Sequence, residues 1–200
     1  MKSKIGKLTI GILVIAVAVL AYKSPMVSAW RHFNNGMRAY GDSNFQQASA
    51  AFSKALKLYD EPAVQYNECI SLWAALMKKQ KDLKIESIAD PELSEADRRN
   101  LLKSSQKARN KITDLIDSNT FKSDQSAALL YARGMLLLLE NQPREANSAF
   151  RESISHKADF TPALKQLVQN QRSEMTPAAE RLILATAETA PIELRNWKPF

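Results

Sequence analysis

The stretch from Phe33 to Tyr59 constrains the fold more than any other part of the chain, and it reads FNNGMRAYGDSNFQQASAAFSKALKLY. Its small and apolar residues have the spacing of two short helices packed as a hairpin; they are Gly36, Ala48, Phe52, Ala55 and Leu56. A weaker copy follows, because 134 − 36, 146 − 48 and 150 − 52 all equal 98, and its residues are Gly134, Ala146, Phe150, Ser153 and Ile154. The repetition predicts an all-α helical repeat protein, an architecture that usually presents binding surfaces.

Composition agrees with this fold class and argues against a nucleic-acid partner. The chain has 200 residues with only 5 glycines, and long stretches show helical spacing. Residues 1–30 carry +4, so subtracting this from the formal net charge of +7 leaves +3 for the remainder. Because that value is ordinary, the sequence predicts no nucleic-acid partner.

The N-terminus carries a targeting signal. Leu8–Tyr22 is an uncharged apolar run of 15 residues between Lys7 and Lys23. Counted as residues 5–22, the run is just long enough to span a bilayer as a signal anchor, with Lys7 reaching the interface. The small residues Val27-Ser28-Ala29 also fit cleavage of a signal peptide near Ala29, after which the protein would be secreted. For the anchor, the preceding lysines predict a single-pass inner (cytoplasmic) membrane protein with its N-terminus in the cytoplasm and its bulk in the periplasm.

The remaining helices follow from periodicity and from stop signals. We expect helices at 29–41, 45–59, 62–80, 94–117, 123–141, 143–157, 161–173 and 176–189, with an insertion at 78–93 and a tail at 191–200. Ser94 followed by Asp97 resembles a capping box. The predicted domains are a targeting segment at 1–29 and a helical domain at 30–190, with hairpins at about 29–59, 62–117 and 123–157 and capping helices at 161–189.

These hairpins resemble the tetratricopeptide repeat, a helix-turn-helix unit of about 34 residues. The family's small, aromatic and apolar motif positions fall in the first hairpin on Gly36, Phe45, Ala48, Phe52, Ala55 and Leu56. Two positions depart from the motif, since Ala39 and Asp60 stand where a tyrosine and a proline are usual. The resemblance covers about residues 30–173 and implies a right-handed superhelix. The transmembrane signal anchor predicted from the apolar run would precede it.

The resemblance also implies a concave groove that binds a protein partner and is lined by the first helix of each hairpin. Carried over to this chain, the groove residues are Trp30, Phe33, Met37, Tyr40, Asn67, Tyr131, Met135 and Leu138. Such an apolar and aromatic surface often marks a binding site. Alternatively, the C-terminal helices or the insertion fold back and fill the groove. For Trp30, the alternative to lining the groove is to act as an anchor at the membrane interface.

A basic stripe gives a second candidate surface. Arg99, Lys103, Lys107 and Lys111 recur every four residues on the helix predicted at 94–117. They could face an acidic partner or anionic headgroups. The alternative is a solvated helix face opposite Leu101, Ala108 and Ile112.

No motif indicates catalysis, a metal or a cofactor, so the chain is predicted not to be an enzyme and to take no small-molecule substrate. Cys69 is the only cysteine, and its position predicts a small buried apolar residue. The expected function is a membrane-tethered scaffold or assembly factor for an envelope or periplasmic complex. The alternatives are a structural subunit of a stable membrane complex or, from the resemblance, an accessory protein of an ATPase/von Willebrand-A maturation system such as that of methanol dehydrogenase.

Overall fold

A computed structural model describes residues 24–118 and 120–171, and throughout these ranges the regular structure is helical. This confirms the all-α class. The helices are α1 (Pro25–Gly41), α2 (Phe45–Leu56), α3 (Pro62–Leu83), α4 (Glu95–Asp117), α5 (Ser123–Leu139), α6 (Pro143–His156) and α7 (Thr161–Gln171). The expected membrane span at 5–22, the second capping helix at 176–189 and the tail at 191–200 lie outside the described residues.

Local sequence explains where several helices begin. Proline is the first residue of α1, α3 and α6, a position where its missing N–H costs no hydrogen bond. Asn44 caps α2 by accepting a hydrogen bond from the N–H of Gln47. Ser94 caps α4 by accepting from the N–H of Asp97 at 3.1 Å. This bond is one half of the expected capping box. The Asp97 carboxylate also accepts from the Ser94 hydroxyl at 2.7 Å.

The α1–α2 and α5–α6 turns have the same backbone geometry. Ser43 and Asn141 adopt positive φ values of 57° and 60°, in the left-handed region. The next N–H in each turn, that of Asn44 or Gln142, donates at 2.8 Å to the carbonyl five residues earlier. This is the helix-terminating arrangement usually built with glycine. The turns therefore satisfy the last carbonyls of α1 and α5 in the same way.

The described chain divides within α3 into two compact units, one ending at Glu68 and the other beginning at Cys69. The first unit contains the α1–α2 hairpin, with Phe52 fully buried at its centre. A Cβ on Gly36 would lie 2.7 Å from Cδ1 of Phe52, which is too close for any side chain. Glycine at this position therefore allows α1 to pack directly on the ring.

The second unit repeats this packing in the α5–α6 hairpin. Phe150 is fully buried, and a Cβ on Gly134 would again lie 2.7 Å from its Cδ1. One polar contact is added between the helices, since the hydroxyl of Ser153 donates to the carbonyl of Ala127 at 2.6 Å. Helix α7 packs on α6, where Ala163 and Val168 are buried.

Helix α4 packs on α5, and the insertion that precedes it is well anchored. Helix α3 continues three residues beyond its expected end at Gln80, so the irregular stretch begins at Lys84. Ile85, Ile88 and Leu93 are buried in this stretch. The N–H of Ile88 also donates to the carbonyl of Leu139, the last residue of α5, at 2.8 Å. The insertion thus forms part of the packing of the second unit.

The other helix limits differ from expectation by a few residues. Helix α1 begins at Pro25 rather than at Ala29, so it includes the expected cleavage motif, and Ala29 is buried. Helix α2 ends at Leu56, three residues early, because Lys57 and Leu58 form a turn. Helix ends depend on tertiary contacts that periodicity does not contain.

Candidate functional site

The four candidate groove residues on α1 have different surroundings. Phe33, Met37 and Tyr40 are half-buried against the core of the first unit, whereas Trp30 is 65% exposed. The ring of Phe33 lies 5.7 Å from that of Phe52, and the ring of Tyr40 meets Phe45 edge-on at 5.1 Å. Burial raises the pKa of the Tyr40 phenol. Three of the four side chains therefore stabilise the hairpin and are only partly accessible.

Asn67 lies on the part of α3 that belongs to the first unit. Its amide nitrogen is 3.9 Å from the sulfur of Met37, and the residue is 1% exposed. The structure therefore brings Asn67 and Met37 together. However, Asn67 is placed inside the packing, so we do not count it among residues that a partner could touch.

Tyr131 is the centre of an aromatic cluster in the second unit. Its ring lies 5.8 Å from those of Trp73, Phe150 and Phe160. Burial raises the pKa of the Tyr131 phenol to about 12. Phe160 directly precedes α7, so the C-terminal part of the described chain covers one side of Tyr131. This is the arrangement expected if the chain fills part of its own groove.

Met135 and Leu138 lie on the same side of α5 as Tyr131, at helical spacings of four and seven residues. Both are half-buried and pack against the core of the second unit. The candidate residues thus form two apolar clusters, each within its own unit. Met135 and Leu138 keep part of their surface accessible.

The basic stripe lies on the solvent side of α4. Arg99, Lys103 and Lys107 are exposed and Lys111 is half-buried, while Leu101, Ser105, Ala108, Ile112 and Leu115 form the buried face. The two other basic residues of this region have acidic or carbonyl partners. Arg98 lies 3.6 Å from Glu95 and donates to the carbonyl of Asp90, and Arg109 pairs with Glu140. Within the stripe, Nε of Arg99 also donates to the carbonyl of Glu95 at 3.4 Å.

A buried ionic cluster links α4 to the end of α5, and sequence reasoning did not identify it. The side chain of Glu140 is 1% exposed. It accepts from Nε of Arg109 at 3.1 Å and from the hydroxyl of Ser105 at 2.8 Å. Paired and hydrogen-bonded charges of this kind are tolerated in a protein interior. The only sequence signal for this cluster is a difference between the hairpins. Glu140 occupies the position that the exposed Asp42 has in the first hairpin.

A shallow cleft of about 360 Å³ lies beside this cluster, between α4, α5 and α6. Its walls include Arg109 and Arg133, which would suit an anion. However, Arg133 already pairs with Glu152 at 2.6 Å, Arg109 pairs with Glu140, and Glu145 also lines the cleft. The local acids offset the two guanidinium groups, so the geometry does not indicate an anion site.

Two further buried groups, the Cys69 thiol and the Glu68 carboxylate, are explained by helix packing. Cys69 is buried, as its position predicted. Glu68 is buried and accepts a short hydrogen bond from the hydroxyl of Ser53. Across the described ranges, histidine, cysteine and carboxylate side chains form no group of three that could hold a metal ion.

Within residues 24–118 and 120–171, no helix combines the length and the apolar character that crossing a bilayer requires. Comparisons of the chain with protein-family models, with curated proteins and with solved structures find no match.

Proposed function

We propose that this chain is a helical-hairpin repeat protein of tetratricopeptide type that binds a protein partner as a scaffold or assembly factor. The observation that carries the proposal is the equivalence of its two hairpins. They share the Gly36–Phe52 and Gly134–Phe150 packing and the same helix-terminating turn, at a constant offset of 98 residues. Repeated helical units of this kind build extended surfaces that recognise other proteins.

We assign partner binding to the accessible edges of the two apolar clusters. In the first unit these are the edges of Phe33, Met37 and Tyr40, and in the second those of Met135 and Leu138. Half-buried apolar side chains held by a packed core suit protein binding, because little conformational entropy is lost when a partner covers them. Tyr131 packs on Phe150. Met135 and Leu138 lie against the same core.

The proposal assigns no catalytic role. The buried carboxylates Glu68 and Glu140 are explained by hydrogen bonds from Ser53, Ser105 and Arg109 within the helical packing. Such contacts fix helix positions and require no substrate.

We further propose that the apolar run at 5–22 remains attached as a signal anchor and places the helical domain outside the cytoplasm. The position of α1 supports retention of the run. Cleavage after Ala29 would remove the start of α1 from Pro25 to Ala29, and with it the buried contact of Ala29. An anchored protein keeps the hairpin complete.

Site-specific photocrosslinking in native membranes tests the binding assignment. A photoreactive phenylalanine analogue at Met135 or at Leu138 is expected to give one discrete protein adduct. The matched control is Tyr59, which is 49% exposed but lies after α2, outside the apolar clusters. Equal adducts from all three positions, or none from Met135 and Leu138, would reject the assignment.

Sizing in mild detergent separates an assembly factor from a permanent subunit. An assembly factor is expected to exist partly as a free, monodisperse protein, because it leaves the finished complex. If the protein occurs only at the mass of a larger complex, it is instead a structural subunit. A reporter fused after Phe200 tests the topology, since reporter activity in the cytoplasm would overturn export.

A further inference from the structure

One face of α1 changes character along its length. Met26, Trp30, Phe33, Met37 and Tyr40 follow one another at spacings of four, three, four and three residues, which places them on one side of the helix. The last three pack against the core of the first unit, whereas Met26 and Trp30 are each 65% exposed. The first two turns of α1 therefore display two large apolar side chains that the hairpin does not bury.

The second hairpin shows that these side chains are not needed for hairpin packing. At the constant offset of 98 residues, Met26 corresponds to Asp124 and Trp30 to Ala128. Asp124 is a solvent-exposed acid that pairs with Lys157 at 3.1 Å, and Ala128 is a small buried residue. By contrast, Phe33 and Met37 correspond to Tyr131 and Met135, which keep the same apolar character. Met26 and Trp30 thus differ from the rest of the face, because neither has a large apolar counterpart in the second hairpin.

Position along the chain identifies what could cover them. Trp30 lies five residues after Pro25, or about 7.5 Å along the helix. Pro25 itself follows Tyr22, the end of the uncharged run, by three residues. The headgroup region of a bilayer is roughly 5–8 Å deep on each side of the hydrocarbon core. A membrane that holds the run would therefore lie within reach of Met26 and Trp30.

We propose that the first two turns of α1 lie in the headgroup region of the membrane, with Met26 and Trp30 inserted among the lipids. The inference rests on the signal anchor of the proposed function. Tryptophan favours this region because its ring is apolar while its indole N–H can still bond to water or headgroups. The first two turns of α1 also contain no acidic residue, which suits anionic headgroups. The interfacial helix would fix how the helical domain is held against the bilayer.

Tryptophan fluorescence quenching tests the proposal on the full chain. The protein contains three tryptophans, and Trp73→Phe with Trp197→Phe leaves Trp30 as the single emitter. The protein is reconstituted into vesicles of phosphatidylethanolamine and phosphatidylglycerol that carry lipids brominated near the headgroup end or near the methyl end of the acyl chain. The matched control carries Trp30→Phe with Trp197→Phe, so that only Trp73, which packs on Tyr131, emits. Circular dichroism confirms that both variants are folded.

The expected result is that lipids brominated near the headgroup remove most of the Trp30 emission, that deep bromines remove less, and that Trp73 is unaffected. Vesicle flotation separates the two proposals. If the protein floats with the vesicles but Trp30 is not quenched, the anchor stands and the interfacial helix is rejected. A protein that does not float overturns both. Equal quenching of Trp30 by shallow and deep bromines would also reject the headgroup position.

Discussion

The two hairpins share an apolar design and differ in their polar contacts. Each places a glycine of its first helix against a buried phenylalanine of its second and ends its first helix with a left-handed residue. At matching positions, however, Ala55 becomes Ser153, the exposed Asp42 becomes the buried Glu140, and Phe33 becomes Tyr131. Two of these changes add polar contacts, since Ser153 bonds to the carbonyl of Ala127 and Glu140 bonds to Ser105 and Arg109.

Apolar and polar contacts therefore have different roles in the repeated hairpin. The apolar contacts define the hairpin, since they recur despite little sequence identity between the copies. The polar contacts fix neighbours, because Glu140 joins α5 to α4 and Ser153 joins α6 to α5. Hydrogen bonds are directional and thus select one arrangement among several that would bury similar apolar area.

The largest expected effect comes from removing the shared aromatic centre. Phe52→Ala and Phe150→Ala should each lower the free energy of unfolding by about 3–5 kcal/mol, because each leaves a cavity under a buried ring. Chemical denaturation measures both, with the exposed Tyr59→Ala as control. A loss below about 0.5 kcal/mol at either phenylalanine, within the range of a surface substitution, would contradict the equivalence of the hairpins.

Breaking the ionic cluster should affect only the second hairpin. Arg109→Met leaves the buried Glu140 carboxylate without its cation and should cost about 2–3 kcal/mol, since Arg109 is partly exposed. Adding Glu140→Gln should restore most of the loss. Arg99→Met, at an exposed position of the same helix, is the control in the same denaturation experiment. If the double variant is no more stable than Arg109→Met alone, charge burial is not the cause.

Filling the glycine contact should cost less. Gly36→Ala and Gly134→Ala force a methyl group against a buried ring, a steric cost that exceeds the gain in helix propensity by about 1–2 kcal/mol. Gly41→Ala is the matched control, because nothing lies within 4 Å of its added Cβ. Thermal unfolding should therefore give Gly41→Ala a higher melting temperature than the other two variants. The reverse order would contradict the close approach of each glycine to its phenylalanine ring.

The smallest effect concerns the polar difference itself. Ser153→Ala loses a buried hydrogen bond to Ala127 and should cost about 1 kcal/mol. The reciprocal change, Ala55→Ser, should be nearly neutral, because Ala29 offers its carbonyl at the equivalent place in the first hairpin. Denaturant titration compares the pair. A penalty for Ala55→Ser larger than the loss from Ser153→Ala would show that the two helix pairs are spaced differently.

Much of the fold follows from the sequence because its signals are local. Helical periodicity and the cap at Ser94 are properties of a few adjacent residues, and they located all of the described helices, although they missed Pro25 as the start of α1. The grouping of Phe33, Met37 and Tyr40 on one side of α1 likewise follows from helical geometry alone. The tetratricopeptide assignment and the use of these residues in binding remain predictions.

What could not be predicted depends on contacts between distant parts of the chain. The burial of Asn67 and the pairing of Glu140 with Arg109 arise only when separate helices meet. The exposure of Trp30 beside the half-burial of Phe33 has the same cause, because both are apolar residues at suitable helical positions. Periodicity identifies a face, but it does not show how far along the helix that face is covered.

The anchored insertion has a consequence for proteolysis. A stretch without regular structure, from Lys84 to Ser94, is usually the first place where a protease cuts a folded domain. Here a cut requires Ile85, Ile88 and Leu93 to leave the core and the bond to Leu139 to break. Cleavage near Lys84 would therefore report the opening of the second unit, and its rate would follow the local free energy of that opening.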